Sequence, residues 1–104
     1  MESSDTIVVT GGEPLMWDMQ PLTNLLKEKK LKTHIETSGA YPLSGDWDWI
    51  CLSPKKRKPP VSKIYSKAHE LKIIVYNKSD FKFAEEHAKK VSKQCILYLS
   101  LIHI

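Results

Sequence analysis

What constrains this chain most is where its apolar runs stop. Ile7-Val8-Val9 is short and β-branched, and it breaks at Thr10-Gly11-Gly12-Glu13-Pro14. Such a run predicts a strand over about residues 6–10, covered on both faces. Gly11 and Gly12 permit backbone angles and close approaches that a Cβ forbids, and Pro14 stiffens the turn that follows. The runs KTHIETSG (32–39) and WICLSP (49–54) end in the same manner, at Glu36-Thr37-Ser38-Gly39 and Ser53-Pro54-Lys55. A lone glycine pair would mark an ordinary strand-to-helix turn. Three polar exits together carry more meaning, because carboxyl-end loops of parallel strands converge on one face, where α/β folds bind ligands.

Between these runs lies helix-period sequence. The stretch 19–30 sets Leu22, Leu25 and Leu26 on one face and ends in lysines. LKIIVYN (71–77) reads as a buried strand and QCILYL (94–99) as the last one. From 79 to 91 a helix is expected, capped by Ser79 or Asp80, with Phe81, Phe83, Ala84 and Ala88 at helical spacing. Residues 59–70 are ambiguous, with a short helix from Ser62 as one reading. The alternation predicts an α/β layer with mostly parallel strands, and 104 residues allow one domain at most. Neither GxxxxGK[ST] nor GxGxxG is present, which excludes a P-loop and a dinucleotide fingerprint.

Composition removes further classes. No apolar stretch approaches bilayer length and no signal-peptide pattern precedes the first strand. Cys51 and Cys95 sit in apolar runs and read as small buried residues of a reducing compartment, not as a disulfide or zinc site. The net charge of +4 is largely the local run Lys55-Lys56-Arg57-Lys58, a weak signal for nucleic acid. It leaves one alternative, a non-catalytic α/β module using that loop for nucleic acid or an acidic partner. His34 reads as a packed strand histidine, and His69 and His87 as exposed residues in charged, helical surroundings. Trp17, Trp47 and Trp49 read as rim packing, and Asp46 and Asp48 as turn and strand-edge residues. Glu13 is expected to bond neighbouring backbone N–H groups.

The motifs TGGEP, HIETSG, CLSPKK and LKIIVYNKSDF, at these separations, resemble radical S-adenosylmethionine enzymes, and within them the 7-carboxy-7-deazaguanine synthase family. The resemblance covers about residues 6–99 and implies the central part of a partial (β/α) barrel. It further implies a carbon–nitrogen lyase of queuosine and deazapurine biosynthesis. In that family a [4Fe-4S] cluster cleaves S-adenosylmethionine, the radical attacks 6-carboxy-5,6,7,8-tetrahydropterin, Mg2+ assists, and ammonia is lost. Carried over residue by residue, Gly11, Gly12, Glu13, Glu36, Ser38, Ser53, Pro54 and Lys55 face S-adenosylmethionine, and Thr10 faces the pterin. Within that set Glu36 and Ser38 are suited to ribose hydroxyls and Lys55 to the carboxylate.

The family's cluster-binding CxxxCxxC motif precedes the first strand and is not in this sequence, and Cys51 and Cys95 do not replace it. No catalytic or metal residue is therefore assigned, and the expectation is an internal fragment, inactive by itself. The family context adds an electron donor such as flavodoxin, a homodimer and a cytoplasmic location, with neither membrane nor nucleic acid as partner. At the other end, a glutamine-proline-glutamate strand exit is expected after Leu99, yet the chain reads Ser100-Leu101-Ile102-His103-Ile104. LSLIHI is what the sequencing-adapter transposon end CTGTCTCTTATACACATC encodes. Residues 1–99 are thus expected to be barrel core and 100–104 a non-native tail, which resequencing with another library chemistry would check.

Overall fold

Five strands form one sheet in the computed structural model, which describes residues 5–102. They are β1 (Thr6–Val9), β2 (Lys32–Thr37), β3 (Trp49–Leu52), β4 (Glu70–Val75) and β5 (Ile96–Leu101). Their spatial order is their chain order, and every neighbouring pair is parallel. That sequential winding is barrel-like, without the reversal of a doubly wound sheet, and here the sheet stays open. Helix α1 (Gln20–Glu28) packs on β2 and helix α2 (Ser79–Ala88) on β4, while short 3-10 turns occupy Pro14–Met16 and Ser62–Ile64.

Alternation sorts the strand residues between two faces. Ile35, Thr37, Ile50, Leu52, Leu71, Ile73 and Val75 are buried on the helix-covered face, joined by Ile64, Tyr65 and Ala84 from the outer layer. His34, Glu36, Cys51, Glu70, Lys72 and Ile74 alternate with them and lie on the opposite face. Parallel register aligns Glu36 with Cys51 and Cys51 with Glu70 across that face. The carboxyl ends of β1, β2 and β3 consequently open at one end of the sheet.

Several sequence expectations need correction. β1 is an edge strand and not covered on both faces: Ile7 is 39% and Val8 52% exposed. Helix α1 buries Thr23 and Leu26, with Leu22 and Leu25 turned outward; the buried Thr23 hydroxyl is satisfied by the carbonyls of Met19 and Gln20 and accepts the Asp46 N–H from the following loop. The cap of α2 is Lys78, without a side-chain hydrogen bond. Asp80 instead accepts from the N–H groups of Tyr76 and Asn77 one turn back, and Asn77 accepts from Ser79. Trp17 is not packed but largely exposed, and Cys95 is only half-buried. β5 runs two residues past the expected end, pairing Ser100 with Ile74 and Leu101 with Val75. His103 and Ile104 of the expected tail lie outside the described residues.

His69 is exposed as expected but sits just before β4, where Nδ1 accepts the N–H of Ile50 and the ring stacks on Trp49. His87 is not exposed. It is buried between Phe83 and Tyr65, with its Nδ1 2.9 Å from the Tyr65 hydroxyl. Burial, then the charge of Lys90, holds the His87 imidazole below its ordinary 6.5, with Glu86 opposing. The unfolded chain therefore takes up this proton more readily than the folded one. The contribution of His87 is complete above pH 6.5 and is lost as pH falls through the depressed folded value. Thermal melts should lose stability between about pH 7 and 5, and His87→Gln should flatten that slope. An unchanged slope in the variant would remove the assignment.

Candidate functional site

Each polar strand exit does a distinct local job. After β1 the chain turns at Gly11, whose φ of +109° lies in the region that glycine tolerates. Glu13 then starts the 3-10 turn and reaches across to the exit of β2. Its Oε1 accepts the Ser38 N–H and the Ser38 hydroxyl, each at 2.8 Å. Its Oε2 accepts the Thr37 hydroxyl at 2.5 Å and the Leu15 N–H at 3.0 Å. The backbone reading of Glu13 made from sequence is thus extended to two side-chain hydroxyls. Burial pushes the Glu13 carboxyl upward, but these four hydrogen bonds outweigh it and hold the group below its ordinary 4.5. At the next exit, the Ser53 N–H donates to the Thr37 carbonyl at 2.7 Å. The three exits are tied edge to edge.

A cavity of about 260 Å³ lies between them, lined by Thr10, Gly11, Gly12, Glu13, Glu36, Thr37, Ser38, Ser53 and Lys55. Eight of the nine residues singled out from sequence therefore meet around one space. Pro54 is the exception. It is buried and lines a neighbouring cavity of about 390 Å³, against β4 and α2. Two glycines near the cavity differ in kind. A Cβ on Gly12 would find no protein atom within 4 Å, whereas one on Gly39 would meet Leu52 Cδ1 at 2.5 Å. Protein packing explains Gly39 and does not explain Gly12.

Two participants escaped the sequence reading. Thr37 was named only as part of the polar exit of β2, with no role of its own, yet its hydroxyl both donates to Glu13 and accepts from the Gly39 N–H at 3.0 Å. Lys72 pairs with Glu36 at 3.3 Å across β3, and the carboxylate hydrogen bond and charge hold its ammonium above the ordinary lysine range. A lysine inside the apolar run LKIIV was the available signal for it. Of the basic run, Lys56 is engaged by Asp80 and lies over Phe83, and Lys58 lies over Tyr41. Those contacts weaken the picture of a free basic patch.

The site offers hydroxyls, a carboxylate, an ammonium and open backbone around one space, which suits a small zwitterionic ligand carrying hydroxyl groups. Cys51 lies outside this lining, and burial, followed by the charges of Glu70 and Glu36, pushes its thiol up to about 12. Among the described residues no three His, Cys, Asp or Glu side chains could hold a metal ion. Among them, too, no helix is long and apolar enough to cross a membrane.

Comparison with known proteins agrees with the motif reading. No family model matches the chain. A 7-carboxy-7-deazaguanine synthase of Flavobacterium psychrophilum is 67% identical over 94 residues, 90% of this chain and 45% of that protein. One from Synechocystis is 55% identical over 93 residues, 89% of this chain and 45% of that protein. The crystal structure of QueE from Escherichia coli superposes with a TM-score of 0.81 at 30% identity, over 94% of this chain and 47% of that one. The resemblance to 7-carboxy-7-deazaguanine synthase is borne out, and the chain spans about half the length of the curated relatives it matches.

Proposed function

We propose that this chain forms the S-adenosylmethionine-holding part of a 7-carboxy-7-deazaguanine synthase, a radical lyase acting on 6-carboxy-5,6,7,8-tetrahydropterin. The observation that carries the reading is the convergence of three strand exits on one cavity, facing a glycine that packing does not require. In this reading the backbone at Gly11 and Gly12 approaches the amino-acid end of the ligand, where a Cβ on Gly12 would occupy its space. Lys55 supplies charge to the ligand carboxylate, with the backbone of Ser53 and Pro54 behind it. Glu36 accepts from ribose hydroxyls, and the Ser38 oxygen retains lone pairs for them while its O–H donates to Glu13. Thr10 faces the pterin. Bound here, S-adenosylmethionine would supply the hydrogen-abstracting radical on one-electron cleavage by the family's [4Fe-4S] cluster. Cluster ligands are not drawn from these residues. The proposal keeps Mg2+, a flavodoxin-like donor, a homodimer and the cytoplasm as the setting of the whole enzyme.

A chimera tests this, with this segment replacing the matched 94-residue stretch of the Flavobacterium relative. Gly12→Val should cost little thermal stability, since a Cβ there meets nothing within 4 Å beyond its chain neighbours, yet weaken S-adenosylmethionine binding. Lys55→Ala removes a charge-assisted bond of about 1.5–3 kcal/mol, a loss of roughly ten- to a hundredfold in affinity. Calorimetry that finds both variants binding like the parent chimera would overturn the reading.

A further inference from the structure

We propose that Lys72 is a positioning residue for the cavity, acting on the bound ligand only through Glu36. The inference rests on the functional reading above and deepens it at one side chain. Glu36 lines the cavity; Lys72 does not, and reaches Glu36 from two strands away at 3.3 Å. The sheet dictates this reach. Parallel register sets Glu36 beside Cys51 and Cys51 beside Glu70, so Lys72 comes to Glu36 diagonally, over the small Cys51 side chain. A larger residue at position 51 would fill that path.

Charge gives the contact its purpose. Glu36 shares this face with a second carboxylate, Glu70, which is itself engaged by the Trp49 indole N–H at 3.0 Å. The Cys51 side chain between them supplies no positive charge to balance either acid. Lys72 is the cation set among these three groups. Both members of the pair are about one-third exposed, 30% for Lys72 and 33% for Glu36. A pair in that environment adds little to folding, where exposed ion pairs contribute modestly. It can still determine direction. A glutamate has three side-chain torsions, and a carboxylate at the lip of an open cavity would otherwise sample several of them. Anchoring Oε1 on the ammonium presents Oε2 to a ligand hydroxyl before binding, which lowers the ordering cost of association.

The test is a double-mutant cycle in the same chimera, read by calorimetric titration with S-adenosylmethionine. Lys72→Met should weaken binding about three- to tenfold while the thermal midpoint stays in place, and Lys72→Arg should restore binding to within about twofold. In a Glu36→Gln background, Lys72→Met should have no further effect, because the carboxylate it orients is gone. A purely structural lysine would show equal losses in both backgrounds and no rescue by arginine, and that result overturns the proposal. So does full affinity in Lys72→Met beside a weakened Glu36→Gln, an outcome that leaves the functional reading standing. Full affinity in Glu36→Gln as well would overturn both.

Discussion

Gly39→Ala should be far more damaging than its single added methyl suggests, costing about 2–5 kcal/mol of folding stability. Two effects combine. Gly39 has a φ of +74°, a left-handed conformation that costs a residue with a Cβ about 1–2 kcal/mol. The new Cβ would also lie 2.5 Å from Leu52 Cδ1, 3.1 Å from Pro60 Cβ and 3.2 Å from Ile64 Cγ2. Leu52 and Ile64 are almost wholly buried and have nowhere to go, so overpacking adds about 1–3 kcal/mol. In the full-length chimera the thermal midpoint should fall by roughly 5–20 °C. Gly12→Ala is the control, and its midpoint should shift by only a degree or two, about 0.5 kcal/mol or less. Equal midpoints for the two variants would show that Gly39 is dispensable to packing.

That contrast bears on what the sequence made legible. Strand positions, their parallel sense and the converging exits follow from β-branched runs that end in small polar residues, and the five strands stand where those runs stand. The gathering of Thr10, Gly12, Glu36, Ser38, Ser53 and Lys55 around one cavity was legible for the same reason, since exits of adjacent parallel strands must lie side by side. Face assignments were less so. The leucines of α1 have helical period, but period does not say which flank meets the sheet, and Thr23 holds the buried place with its hydroxyl accepting the N–H of Asp46, 23 residues on. His87 falls four residues after Phe83 and three after Ala84, on the helix's buried face, but its partner Tyr65 is 22 residues away and no local stretch announces it. Lys72 was hidden for a similar reason: its role depends on register across two strands, which no local stretch encodes.

Glu13→Gln is the other change expected to act strongly, and it does so without altering shape. All four groups that point at this side chain are donors: the N–H groups of Leu15 and Ser38 and the hydroxyls of Thr37 and Ser38. A carboxylate accepts from all of them, whereas an amide can turn its oxygen to one pair only and must aim its NH2 at the other. The variant loses charge assistance and, whichever way it turns, sets its NH2 against one backbone N–H, of Leu15 or Ser38, while the neighbouring hydroxyl can rotate to accept, so about 1–3 kcal/mol of stability should go. The exits of β1 and β2 are the walls of the cavity, so S-adenosylmethionine affinity should fall with it. Acid gives an independent reading. The folded Glu13 carboxyl titrates below the ordinary 4.5, so its contribution is complete above pH 4.5 and is lost as pH falls through the lower folded value. Below that value the parent protein carries the same neutral group as the variant. Denaturant melts should therefore separate parent and Glu13→Gln widely near neutral pH and bring them together in acid. A gap that persists unchanged in acid strong enough to protonate the folded Glu13 carboxyl would mean that its charge is not what the surrounding donors require.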